Sequence, residues 1–550
     1  MASKWKMLRS LAAAGKLETE KEDGEERRSL SSKIAKVFAG MGKDVRPLQA
    51  SPLLELPYEL LDRILFFLDR EDLMTLRAVC YRLDELLLDQ LFSEISINCT
   101  QYGSQRTGAL LRQLSTGKSR VSRVAKTLHI ANLVPFTHPA QSNWQETDLD
   151  QGLRPIQQSY LAPALRALRN ITTVHWSVKV SDPYSSMCDA LAALPHLDSL
   201  YLYLDRWTHS TLFPFDKFHD LKLKRLHFES GDYFRPITCE TIPHLRKIIA
   251  GSPDLEELSF TPLLIQGPRI TTLDDLFIRD GETKKCLKEN GGVLPLTSIR
   301  LAYPMLSKEM HTWGALKNLV SLDITNGQAD IRPLWKFFSA HSFELQVIKV
   351  GNLSFELIEY LLTYTGLREL HLRSVFAAEG KESSRKELMT ALCRDGLPQH
   401  GYSLEMLSLE APDSDVNEEW CLMPEYASWI GQCVVLRQLT AQVFYNQSRP
   451  TLTEVLSRLC RLPRLQLLSL TPVWPSPLPV EAPSTALIPE CFQVRPDVYI
   501  NTIAEFVALR HENKAKECRL GFSLCGGVVL KTIGWNHAFH KCSEASSSGP

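Results

Sequence analysis

LVSLDITNGQADIRPLWKFFSAHSFELQVIKVGNLSFELIEYLLTYTGLRELHLR, residues 319–373, carries one short pattern three times: an apolar residue, two others, an apolar residue, one other, then a third apolar residue. The copies are Leu319-Leu322-Ile324, Leu345-Ile348-Val350 and Leu367-Leu370-Leu372. Within each, the last two apolar residues flank one outward residue, the period of a strand with one buried face. Between the copies, 334–338 and 355–362 read as helices. A strand-then-helix unit of this size cannot bury its apolar face alone, so such units must stack on one another.

Working outward, the pattern recurs with central residues Leu128, Val174, Leu200, Leu226, Leu258, Ile299, Leu322, Ile348, Leu370, Leu407, Leu439 and Leu468. Their separations are 46, 26, 26, 32, 41, 23, 26, 22, 37, 32 and 29 residues. The short intervals fall in the range of about 20–29 residues found in leucine-rich repeats, and the long ones need insertions or an unrecognised copy. Further helix-like runs lie at 163–168, 187–194, 243–249, 386–392 and 452–459. Alternation places a row of residues on the face away from the core: His129, His175, Tyr201, His227, Ser259, Arg300, Asp323, Lys349, His371, Ser408, Thr440 and Ser469. Tyr203 and Arg373 stand two residues beyond Tyr201 and His371. The expected binding residues on this concave face are Tyr201, Tyr203, His227, Arg300, Lys349, His371 and Arg373, because exposed Tyr and Arg favour interface hot spots. Arg300, Lys349, His371 and Arg373 read as a cationic stretch interrupted by Asp323, suited to an acidic or phosphorylated segment. The histidines of this row lie in different repeats with Tyr201 among them, and are not read as a metal site or pH switch.

Upstream, residues 53–86 read LLELPYELLDRILFFLDREDLMTLRAVCYRLDEL. Pro57 pre-sets a first helical turn, and Leu60, Leu61, Ile64, Leu65 and Leu68 follow at helical spacing. Asp69 can cap a second helix, and Leu83, Leu86, Leu87 and Leu91 mark a third. Three short helices bury only a small core, yet apolar residues fall on more than one face, so the surplus should be covered by a partner.

This run closely resembles an F-box, in Leu56-Pro57, Glu59-Leu60, Ile64-Leu65, Leu68, Asp72-Leu73, Leu76 and Val79-Cys80, with Phe92 and Ile95 like the exit into a strand. The resemblance implies binding to the Skp adaptor of SCF-type cullin-RING ubiquitin ligases, and through it to cullin and RING subunits. By position it points to Leu56, Pro57, Leu60, Ile64, Leu65, Leu68 and Leu76 as adaptor-binding residues. With the repeats, the whole resembles the leucine-rich-repeat class of F-box proteins, more loosely its irregular fungal members. It departs from the repeat consensus where Asn or Cys is usual: Asp205, Leu263, Gly327, Leu353, Val375 and Pro412 stand there, so no buried Asn ladder is expected.

The expected fold is α/β: an N-terminal three-helix F-box followed by an irregular leucine-rich-repeat solenoid. Its expected segments are a disordered tail (1–50), the F-box (51–97), the solenoid (98–473), a Pro-rich linker (474–489), a C-terminal capping segment (490–535) and a flexible tail (536–550). A helix is expected over 498–510 and a last strand over 519–524.

The 550 residues balance 62 Lys and Arg against 63 Asp and Glu, a net charge of -1, which disfavours a general grip on nucleic acid. No apolar run is long enough to span a membrane. The 13 cysteines, without CxxC pairs, read as reduced thiols of a cytoplasmic or nuclear protein. No Walker A motif, zincin helix or nucleophile elbow is present. Cys518, Cys525, His537, His540 and Cys542 cluster, but at spacings foreign to zinc sites. The expectation is therefore no enzyme, metal or cofactor, but a substrate adaptor in ubiquitin-dependent degradation. The alternatives are a non-ligase F-box scaffold and, behind it, an enzyme built on the segment after Trp474.

Overall fold

The computed structural model describes residues 56–98, 104–131, 133, 148–179, 182–204, 213–230, 241–262, 294–302, 316–326, 331–351, 353–373, 383–410, 420–444, 449–459, 461–473, 519–524 and 528–531. The 1–50 tail, the Pro-rich 474–489, the expected helix at 498–510, the Cys/His cluster and the last residues lie outside them. The chain divides into two compact units, 1–91 and 92–550.

In the first unit, α1 is Tyr58–Phe66, α2 is Arg70–Arg77 and α3 is Tyr81–Phe92. Pro57 sits extended at the start of α1, and its carbonyl accepts from the amides of Leu60 and Leu61. Asp69 caps α2, its carboxylate accepting from the Asp72 amide at 2.8 Å. The core is Leu61 and Leu65 from α1 and Leu83, Leu87, Leu88 and Leu91 from α3; α2 buries no residue. Gln90 donates to Asp62 at 2.8 Å, and Arg77 pairs with Asp84.

The second unit is built on one sheet whose spatial order equals its chain order, β1 to β15. The strands are β1 (Glu94–Asn98), β2 (Thr127–Ala131), β3 (Thr173–Val178), β4 (Ser199–Leu204), β5 (Arg225–Ser230), β6 (Glu257–Pro262), β7 (Ser298–Ala302), β8 (Ser321–Asn326), β9 (Val347–Val350), β10 (Glu369–Leu372), β11 (Met406–Leu409), β12 (Gln438–Phe444), β13 (Leu467–Val473), β14 (Arg519–Leu524) and β15 (Val528–Lys531). Neighbours run parallel through β14, and only β15 turns back antiparallel. The sheet is open, with β1 and β15 at its ends. The molecule is thus a mixed helix and strand protein, with three helices in its first unit and a sequentially ordered parallel sheet in its second.

The register follows the triplets. Leu128 pairs with Val174, Val174 with Leu200, and so on rung by rung to Leu439 with Leu468. Each of the twelve central residues is at most 2% exposed. Helices follow many strands and share their core, among them Arg332–Ala340, Phe355–Leu361 and Arg449–Leu459. Two turns the sequence left unread are also helical: Ser104–Ser115 and Pro424–Ile430. Leu353 is the one non-consensus repeat position within the described residues, and it is buried. No helix among the described residues is long and apolar enough to cross a membrane.

Candidate interaction surfaces

Among the described residues no group of three or more His, Cys, Asp or Glu side chains could hold a metal ion. Two surfaces remain, one on each unit.

On the three-helix unit, the small core leaves much of the apolar surface outside. Leu60 is 47% and Ile64 43% exposed, each one helical step from buried Leu61 or Leu65. Pro57 is exposed, and Leu56, Leu68 and Leu76 are half-buried. Leu65, at 5% exposed, packs in the core of the unit. Sequence reasoning passed over Tyr58, Phe66, Phe67, Met74 and Tyr81, all exposed, and Val79, named there only for the resemblance, is exposed too. The signal was present: Phe66 and Phe67 follow Leu65 directly, and adjacent residues on a helix cannot all face one core. Exposed large apolar residues in this number are unusual for so small a unit.

On the sheet, the residue between the two inward apolar positions of each strand forms a continuous row across neighbouring strands. At its first part are rings. His129 stacks on His175 with centroids 4.7 Å apart, His175 on Tyr201 at 4.2 Å, and Tyr201 on His227 at 4.2 Å. Tyr201 therefore joins the histidines of different repeats into one stack, because stacking depends on a flat ring and not on its titration. Glu94 lies 3.9 Å from His129 at one end and Glu257 lies 3.4 Å from His227 at the other. Burial, with the neighbouring His129 and His227 adding to it, lowers the His175 pKa; burial also lowers His227, against the pull of Glu257. Burial thus biases the His175 and His227 rings toward their neutral forms. Tyr203, one step further along β4, is exposed.

The second part of the row holds the expected cations, and here acids stand beside them. Arg300 on β7 faces Asp323 on β8 at 3.3 Å. Lys349 on β9 lies 4.0 Å from Glu369 on β10, which also approaches His371 at 3.6 Å. Burial and the nearby Lys349 lower the His371 pKa despite Glu369. Three of the four expected cationic residues thus have acidic neighbours within the sheet, Glu369 being one the sequence reading did not weigh. Arg373 is exposed.

Comparison with protein families gives one match: residues 53–98 fit the F-box-like family. The chain carries an F-box-like domain, coincident with α1–α3 and β1, and domains of this class bind Skp-type adaptors. No curated protein matches the chain.

Proposed function

We propose that the chain is the substrate-recognition subunit of an SCF-type cullin-RING ubiquitin ligase, acting in the cytoplasm or nucleus. The α1–α3 unit holds the Skp-type adaptor and, through it, cullin and RING subunits. The sheet unit, read as an irregular leucine-rich-repeat solenoid, holds the protein to be ubiquitinated. The chain performs no bond chemistry itself. It acts by proximity, raising the effective concentration of substrate lysines beside a recruited conjugating enzyme.

The observation that carries this reading is the exposed apolar surface of the F-box-like domain, with Leu60 and Ile64 one helical turn apart on α1 and Phe66 and Phe67 at its end. The test is co-purification of the full chain with a Skp adaptor. Leu60→Glu with Ile64→Glu should abolish recovery without unfolding the unit, because both side chains stand largely outside the core. Undiminished recovery would falsify the proposal.

A further inference from the structure

The edge of the sheet where β9 to β13 begin carries a basic pocket that neither the F-box-like domain nor the outward row accounts for. It is a surface depression of about 290 Å³, with Gly366, Arg368, Tyr402, Glu405, Arg437 and Arg464 among its walls.

Its geometry follows from the register. Arg368, Glu405 and Arg437 occupy the same place, two residues before the central residue and immediately ahead of three consecutive strands, β10, β11 and β12. Their backbones are bonded to one another: the Glu405 amide donates to the Arg368 carbonyl and the Arg437 amide to the Glu405 carbonyl, both at 2.8 Å. Their Cα atoms therefore stand one strand spacing apart, about 4.8 Å, in a fixed line. Glu405 holds the two flanking guanidiniums. Arg368 donates to it through Nε at 3.0 Å and Nη2 at 2.7 Å, and Arg437 Nε lies 3.6 Å from its second oxygen. That contact with Arg368 keeps the Glu405 carboxyl below the usual carboxylate range, with Arg437 and Arg464 adding to it. Arg464, in the turn before β13, is exposed and makes no ion pair among the described residues. Three guanidiniums thus meet one carboxylate, leaving an excess of two positive charges.

Two further residues keep the pocket accessible. Gly366 has φ +115° and no atom within 4 Å of where a Cβ would stand, so the turn is open at this point. Tyr402, 89% exposed at the rim, offers a phenol hydroxyl as a donor.

We propose that this pocket binds a phosphate monoester. Such a group carries about -1.5 to -2 charge at neutral pH, which matches the excess, and its oxygens accept the paired donors of guanidinium forks. A carboxylate brings one charge and leaves the other guanidinium unanswered. The phosphate can arrive on a protein side chain or on a small molecule, and the experiment separates the two.

The full chain is titrated, by fluorescence anisotropy and competition, with a degenerate peptide library centred on phosphoserine, with its unphosphorylated counterpart, and with inorganic phosphate. The expected result is phosphate-dependent binding that Arg437→Ala with Arg464→Ala weakens about tenfold or more. Arg437→Lys with Arg464→Lys keeps the charge but loses the forks, and should fall between. Thermal melts of both variants should match the parent, since the side chains are exposed. Tight phosphopeptide binding with weak inorganic phosphate assigns the site to phosphorylated proteins; equal affinity for both assigns it to small phosphates. Absence of phosphate-dependent binding, or binding indifferent to both variants, overturns the proposal. Recovery of the Skp adaptor, measured on the same variants, reports separately on the ligase reading.

Discussion

His400 makes the turn beside the basic pocket sensitive to acid. Its ring is 1% exposed and bridges two backbone segments: Nε2 donates to the Leu361 carbonyl at 3.0 Å and Nδ1 accepts from the Leu367 amide at 3.3 Å. A carbonyl can only accept and an amide N–H can only donate, so the partners fix the neutral tautomer. Protonating Nδ1 would set two donors against each other inside the core. Burial accordingly lowers the His400 pKa from 6.5 to about 4, with the Leu361 carbonyl partly opposing. Between those values the unfolded chain binds the proton and the folded one does not. Stability from this residue is therefore complete above pH 6.5 and is lost as pH falls toward 4. At 1.36 kcal/mol per pKa unit the loss is about 3 kcal/mol. His400→Gln cannot bridge both groups and should cost about 1–3 kcal/mol at pH 8. It carries no titrating group, so its stability relative to the parent should rise by about 3 kcal/mol as pH falls from 7.5 to 4, cancelling the deficit or reversing it. Urea unfolding of both chains at each pH measures the difference, and groups that titrate equally in both cancel. A deficit constant across this range would refute the reasoning.

Asp182 should show the opposite sign. Burial raises its pKa from 3.8 to about 6 while it accepts from Trp176 Nε1 and the Lys179 amide, so it favours folding below pH 3.8 and loses that contribution as pH rises through about 6. Relative to the parent, Asp182→Asn should gain stability between pH 4 and 7.5, by at most about 3 kcal/mol, read from the same urea curves. Tyr201→Ala removes two ring contacts and should cost about 1–3 kcal/mol in denaturant titration, while changed environments at His175 and His227 appear in their NMR pH titrations. Leu370→Ala, at a fully buried central position, should cost about 2–5 kcal/mol and lower the melting temperature, whereas Tyr203→Ala on the outer face should leave it nearly unchanged. Gly366→Ala forces a side chain into φ +115° and should cost about 1–3 kcal/mol by thermal melt.

The difference between what the sequence disclosed and what it withheld is one of range. The triplets were legible because alternation is a property of five or six adjacent residues, and residues with the same place in a repeat must meet across strands: Leu322, Ile348 and Leu370 align in the sheet as they align on paper. The same alignment already placed Tyr201 between His175 and His227. What alternation alone does not disclose is that these rings stack, which depends on their shape and not on their protonation. Pro424–Ile430 escaped because a helix of seven residues with Tyr426, Ala427 and Ile430 inward shows too little periodicity to be told from a turn. The acid beside Lys349 and His371 escaped for another reason: Glu369 starts its strand at one of the unspecified positions of the triplet, and it reaches Lys349 and His371 only through its side chain. The pocket lies at the far end of this scale. Its arginines hold a repeat position that elsewhere carries residues as different as Lys126, Thr172, Asp198, Lys224, Glu256 and Val320, so no pattern marks it. It exists because three consecutive repeats put Arg368, Glu405 and Arg437 side by side and the next turn adds Arg464. A stacked array sets a lattice of equivalent positions that short-range pattern can find. Binding chemistry arises from which residues fall together on that lattice, and that becomes visible only once the register is fixed.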